Sequence, residues 1–394
     1  MTRDELHQKL GKLLYIEDYG MIDVVCASII ANSLKLGDPV WLTLIGPSSG
    51  GKSQIIRPFG AATKLIHRVD DMTPNTLLSG SLGIEGSLLG RIGPHGIISM
   101  DDLTVLFSKN AEARGEILSQ FRMLYDGAMT KSSGNRKEAI VWKGYLGMIS
   151  GSTPSIYRYF AEVADMGERF INYRMKSFDK HKAVKFISDN NMTAKELDDS
   201  ISEILKEFMS ERLQDPGVKK FTTLSREVVQ VIENISEHST LMRTAVHVDE
   251  RSGFVDEFPE PEMPFRVQKQ LTYVAQGLQA MNGGPLTEDM IATLEWTAWS
   301  LANDKRRAYL RFLVGLEDEG KYLTARNVSA CTGLATTIVE KGLDQLQALG
   351  IIKLREGEKG SDRRWELCNK ELAKIVRRLD PPEKGQLQLI DDDL

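Results

Sequence analysis

The sequence predicts an α/β fold: a parallel sheet flanked by helices, a helical lid, and a winged helix-turn-helix domain near the C-terminus. Three observations predict it. Val40-Trp41-Leu42-Thr43-Leu44-Ile45 has the length and apolarity of a buried parallel strand, and it runs straight into Gly46-Pro47-Ser48-Ser49-Gly50-Gly51-Lys52-Ser53. Gly96-Ile97-Ile98-Ser99-Met100 is a second mostly apolar strand, ending in Asp101-Asp102. From 304 to 370, three helical patterns are followed by two short strands.

Gly46, four residues, then Gly51-Lys52-Ser53 is a complete phosphate-binding loop in a strand–turn–helix context. Gly46, Gly50 and Gly51 let successive N–H groups, those of Pro47's followers Ser48 and Ser49 included, face a phosphate chain. The helix that follows adds its positive end. Lys52 supplies a charge for the β/γ-phosphates, and the Ser53 hydroxyl is a ligand for Mg²⁺. The loop by itself points to nucleotide phosphates, and with the acidic strand that follows the expected cofactors are ATP and Mg²⁺. Asp101 is placed to hold Mg²⁺ through its water shell, and Asp102 to polarise an attacking water.

The chain has 394 residues, room for two or three domains, with 41% hydrophobic and 27% charged residues. A net charge of −5 excludes a polycation, so nucleic-acid binding would need a local basic patch. Cys26, Cys331 and Cys368 form no CxxC pair and suggest neither a zinc ribbon nor a disulfide framework. The expectation is reduced thiols in a cytoplasmic protein. The N-terminus lacks a signal-peptide pattern and no stretch reaches the length of a membrane span, so no membrane partner is expected.

In order, residues 1–40 read as helices leading into the core, closed by the turn Gly37-Asp38-Pro39. Ser53 to Ala62 is the helix after the loop, and Lys64 to Asp70 a second strand whose lone His67 reads as an ordinary histidine. The glycine-rich stretch 73–95 suggests hairpins or an insert, and 109–126 a helix. Two short arms flank Ser133-Gly134-Asn135, which predicts a hairpin over 128–143 with Lys131, Arg136 and Lys137 at or near its tip. Gly144 to Ile149 is a strand ending in Ser150-Gly151-Ser152-Thr153-Pro154, and 166–175 alternates as a strand does. Helical patterns follow at 193–213, 222–236, 262–281 and 286–303, with an acidic, proline-bearing loop at 248–263. In the last domain, helices are expected at 305–316, 324–331 and 336–349, and wing strands at 351–354 and 364–367. Pro381-Pro382 and Asp391-Asp392-Asp393-Leu394 belong to an acidic tail.

Loop, acidic strand, polar strand end, and arginine before the next strand come in the order found in AAA+ ATPases, which the chain resembles over about 20–303. The hairpin at 128–143 makes it similar to the helicase-type branch, the minichromosome-maintenance-like and superfamily 3 helicases of phages and mobile elements. The resemblance implies a core at 41–180, a helical lid at 181–303, the winged domain at 304–370, and a C-terminal helix and tail at 371–394. It implies that Ser152 or Thr153 is the polar sensor, where Asn is more usual, and that Asp102 stands where Glu is more usual. Arg169 matches the arginine finger, with Arg158 and Arg174 as rivals, and Arg266 the sensing arginine of the lid. It further implies a homo-hexameric ring that moves the Lys131/Arg136/Lys137 hairpin along a DNA strand. Arg326, Lys341, Lys359, Arg363 and Arg364 are candidate DNA contacts of the winged domain. The alternative is a non-motor, ATP-switched DNA-binding regulator or helicase loader, and a loader or replication partner is compatible with either.

Overall fold

A computed structural model describes residues 1–79, 83–132, 138–159, 169–215, 217–249, 251, 255–355 and 362–382. They fall into two compact units, Met1–Glu233 with Phe265–Ala298, and Asn234–Pro264 with Trp299–Leu394. Within the span 181–303 expected as a lid, 181–233 and 265–298 fall in the first unit, and 234–264 with 299–303 in the second.

The first unit opens with α1 (Arg3–Gly11) and α2 (Gly20–Leu34). Thr2 and Glu5 form a capping box that starts α1. The chain continues as β1 (Trp41–Ile45), α3 (Lys52–Ala62), β2 (Ile66–Arg68), α4 (Leu88–Ile92), β3 (His95–Met100), α5 (Thr104–Phe107) and α6 (Ala111–Tyr125). It goes on through β4 (Ala128–Lys131), β5 (Ile140–Lys143), β6 (Tyr145–Ser152) and β7 (Phe170–Arg174) to α7 (Lys180–Asp189), α8 (Ala194–Gln214) and α9 (Arg226–Arg243). Helices α10 (Phe265–Asn282) and α11 (Glu288–Trp299) complete it, and the division between units falls inside α9 and α11.

The five-stranded sheet has the order β2-β3-β6-β1-β7, with every neighbour parallel. All five residues of β1 are buried, as an inner parallel strand requires. Trp41 anchors the core: its indole N–H donates to the Leu146 carbonyl at 2.7 Å, and its ring meets Phe121, Tyr125 and Phe170. Helix α3 packs on α8, and α2 on α10.

The arms of the expected hairpin are present: β4 pairs antiparallel with β5, Ala128 opposite Lys143 and Lys131 opposite Ile140. Its tip, with Arg136 and Lys137, lies outside the described residues. Elsewhere the structure departs from the sequence patterns. Within 73–95 the described residues hold an isolated antiparallel bridge between Ser79 and Gly83 and the short helix α4, which the Ser87 hydroxyl caps by accepting from the Gly90 N–H. Helix α7 has no counterpart in the patterns; Asp179 starts it by accepting from the N–H groups of His181 and Lys182.

The second unit holds α12 (Asp304–Asp318), β8 (Leu323–Thr324), α13 (Ala325–Thr332), α14 (Thr336–Ala348), β9 (Ile352–Arg355), β10 (Arg364–Leu367) and α15 (Lys370–Leu379). Its sheet is antiparallel, in the order β8-β10-β9. Leu323-Thr324 is a strand as well as the cap of α13, since it pairs with Arg364-Trp365. Asp380 ties α15 to α12, accepting from Arg307 at 2.9 and 3.1 Å and from the Trp299 indole at 3.0 Å. Among the described residues, no helix is long and apolar enough to cross a membrane.

Candidate active site

Parallel pairing sends every strand's C-terminal end to one edge of the sheet. There Ile45 is level with Ser152 on one side and Arg174 on the other, and Met100 is level with Ser150. The phosphate loop, the acidic pair and the polar end of β6 therefore meet although they are separated by up to a hundred residues. Because β6 lies between β1 and β3, Ser152 stands between the loop and the acids.

The loop is tied to β6 by the Gly46 N–H, which donates to the Ser152 carbonyl at 3.1 Å. Gly51 caps α3 with φ +86°, a left-handed conformation that a side chain would strain. The buried Lys52 ammonium folds back on its own loop, donating to the carbonyls of Gly46 at 2.9 Å and Pro47 at 2.7 Å. Burial pulls its pKa below the ordinary lysine value, and the charge of Asp102 works the other way. Ser53 follows in the first turn of α3, half-buried.

The two acids face different neighbours, as consecutive residues leaving a strand do. Asp101 Oδ2 accepts from Arg57 Nε at 3.2 Å and Nη2 at 3.0 Å, and from Arg68 Nη2 at 3.0 Å. Its Oδ1 is buried with no hydrogen-bond partner among the described residues. Asp102 Oδ1 accepts from the Thr104 N–H at 2.9 Å and the Thr104 hydroxyl at 2.5 Å. Asp102, not Asp101, is thus the acid whose charge acts on Lys52. Gly151 makes this turn possible: the Leu103 N–H donates to its carbonyl at 2.7 Å, and a Cβ on Gly151 would lie 2.5 Å from the Asp101 carbonyl oxygen. Ser152 is fully buried and its hydroxyl donates to the Thr153 carbonyl; the Thr153 hydroxyl pairs with that of Ser155 at 2.6 Å.

A cavity of about 230 Å³ opens beside Ser49, Gly50, Gly51 and Gln54, walled by Leu14, Tyr15, Ile16, Met21, Met175, Phe178 and Phe186. It is smaller than the ~300–1,000 Å³ of pockets that enclose a drug-sized ligand, and suits a flat base rather than a whole nucleotide. Sequence reasoning missed it, since its walls come from the α1–α2 connection and from α7.

Three arginine positions resolve differently. Arg169 precedes β7 and lies at the opposite edge from the loop, five strand residues or about 16 Å away. It is 8% exposed, paired with Asp126 at 3.0 Å and stacked over Tyr125. Arg266, exposed in the first turn of α10, is at that same far edge: one turn on, Gln270 donates to the Arg169 carbonyl at 2.6 Å. The parallel direction of β7 thus sends that end of α10 away from the phosphate loop of the same chain. The arginine at the loop is Arg174, level with Ile45 and 4.3 Å over the Tyr157 ring. The side chain of Arg158 is outside the described residues.

Among the DNA candidates, Lys131 donates to the Pro74 carbonyl at 3.2 Å and to Asn75 Oδ1 at 2.8 Å. Arg363 is paired with Asp344 at 2.7 Å and lies over Trp365, Arg326 faces Asp362 at 3.5 Å, and Arg364 stacks 3.6 Å over Tyr322. Lys341 is exposed on α14. Lys359 lies outside the described residues.

No family model matches the chain, and no curated protein shows significant similarity to it.

A Mg²⁺-bearing nucleotide fits the residues present. The orphaned Asp101 Oδ1 needs a donor, which a water of a hydrated cation supplies. No cluster of three or more His, Cys, Asp or Glu side chains is arranged for a metal among the described residues. A cation would therefore rest on Ser53, an acid and the phosphates themselves.

Proposed function

We propose that the first unit is an ATPase of the phosphate-loop type. What carries this is one edge of one sheet, where Gly46–Ser53, Asp101-Asp102 and Ser152 converge. The loop N–H groups and the N-terminus of α3 hold the phosphate chain. Lys52 exchanges the carbonyls of Gly46 and Pro47 for phosphate oxygens, and the apolar cavity takes the base. Bound Mg²⁺ neutralises charge developing on the phosphates. Asp101 and Ser53 hold its shell; Asp102 orients and polarises the attacking water, with Ser152 or Thr153 fixing its far side. Arg174 offers a positive charge at the phosphate edge within the same subunit.

We further propose that hydrolysis works on DNA, as a translocase or helicase in a ring such as a hexamer. The β4–β5 hairpin supports this: in the chain it falls between the acidic strand and Ser152, and its tip is basic in sequence. In the second unit, the order helix, strand, two helices and two strands supports a winged helix-turn-helix. The ATP-switched regulator or loader is favoured by different observations, the pairing of Arg169 with Asp126 and of Arg363 with Asp344.

The deciding experiment measures DNA-stimulated ATP hydrolysis beside displacement of 3′- and 5′-tailed strands, with Lys52→Ala as control. Loss of nucleotide binding in Lys52→Ala is expected. Wild-type hydrolysis in that variant would refute the ATPase, and DNA-stimulated hydrolysis with no strand displacement would select the regulator or loader.

A further inference from the structure

Helix α7 divides its apolar residues between two sides. Ala183 and Phe186 turn inward to the cavity, and the Phe186 ring lies 6.0 Å from Tyr15. Val184 turns outward, 64% exposed, and Ile187, 68% exposed, reaches the cavity's rim as well as solvent. Lys180, one turn before Val184 on the same side, and Lys185 next to it rim them, both exposed. The chain then passes Met192 into α8, whose outward stripe, at positions three and four apart, is Glu196, Asp199 and Glu203. Met192 and these acids line one shallow open depression. A basic, apolar half and an acidic half are therefore continuous on one surface of a chain whose net charge is −5.

We propose that this surface joins two copies of the chain, α7 of one lying against the acidic stripe of α8 of the other. Each half is the complement of the other, so a second copy supplies what the first lacks: acids for Lys180 and Lys185, and cover for Val184 and Ile187. The same pairing serves a two-fold contact, which uses both halves at once, and a ring, in which each copy gives α7 to one neighbour and α8 to the next. The inference turns on Lys180, Lys185, Asp199 and Glu203, which lie outside the phosphate loop, the acidic strand and the cavity, so its test does not depend on the ATPase reading.

The test is the mass of the full chain by light scattering. Association is expected at about 0.1 M salt and should weaken at least tenfold by about 1 M, as the screening length falls from about 10 Å to about 3 Å. Lys180→Glu with Lys185→Glu should give a monomer, as should Asp199→Lys with Glu203→Lys, which leaves the Glu196 cap of α8 intact. An equimolar mixture of the two variants should associate again, because each then offers the charge the other needs. All four positions are exposed or flanking, so melting temperatures should match the wild type and exclude misfolding. A wild-type monomer at about 0.1 M salt overturns the proposal. So does association that either double variant leaves unchanged, or a mixture of well-folded variants that stays monomeric.

Discussion

Arg174 is level with Ile45 in the parallel pairing of β7 with β1, one residue short of the phosphate loop. Arg169, five residues earlier on the same strand, is sealed against Asp126 and Tyr125 at the other edge. Truncating the two should therefore give opposite phenotypes. Arg174→Ala is expected to lower turnover by about 10²-fold, the scale of one lost electrostatic donor, with nucleotide affinity largely kept. Arg169→Ala should instead cost about 1–3 kcal/mol of stability, through lost packing and a lost charged hydrogen bond. Thermal melts beside steady-state kinetics decide it. An Arg169→Ala protein that melts like the wild type but does not hydrolyse would support the finger assignment, as would rescue of its hydrolysis by Lys52→Ala subunits.

The acids should separate in the same way. Asp101 is held by Arg57 and Arg68 with one oxygen left over, while Asp102 accepts from Thr104 and acts on Lys52. Asp101→Asn should bind a fluorescent ATP analogue with the difference between Mg²⁺ and EDTA largely erased. Asp102→Ala should keep that difference, lose hydrolysis, and lose about 1 kcal/mol with its hydrogen bonds from Thr104. A Mg²⁺ dependence lost in the second variant and kept in the first would reverse the two roles.

Gly151 has no chemistry of its own, yet its position is among the tightest at the site. A Cβ there meets the Asp101 backbone oxygen at 2.5 Å, so the acidic turn must move. Gly151→Ala is expected to cost about 1–3 kcal/mol and to depress hydrolysis with Lys52 and both acids intact. Wild-type melting and turnover in this variant would show that the turn tolerates the shift.

In the second unit, burial works to raise the Asp380 carboxyl above its ordinary 3.8, but Arg307, the Trp299 indole and Arg311 outweigh it and hold it below. An acid depressed on folding stabilises the protein above its unfolded pKa and loses that contribution as the pH falls through the folded one. Asp380→Asn should thus differ most from the wild type near neutrality, with the gap in melting temperature closing below about pH 4. Asp380→Ala leaves the buried Arg307 without its carboxylate and should cost about 3–5 kcal/mol at neutral pH. A gap that stays constant down to acid pH would mean the pair contributes nothing by its charge.

The phosphate loop, the acidic strand, the hairpin arms and most helices were legible in the sequence because their signals are local. An apolar run followed by Gly46-x₄-Gly51-Lys52-Ser53 permits little besides strand, turn and helix. Even the far-edge position of Arg169 had a signal: whatever precedes a strand parallel to β1 must sit opposite the loop.

Other features had no local signal. That β6 slots between β3 and β1, that Asp101 turns to Arg57 and Arg68 while Asp102 acts on Lys52, and that Tyr15 and Phe186 wall one cavity are decided by pairing between distant segments. The sequence alone determined which residues the proposed site is built from. Tertiary structure alone decided which arginine stands beside them, because parallel register is set by side-chain packing across the whole sheet and not by spacing along the chain.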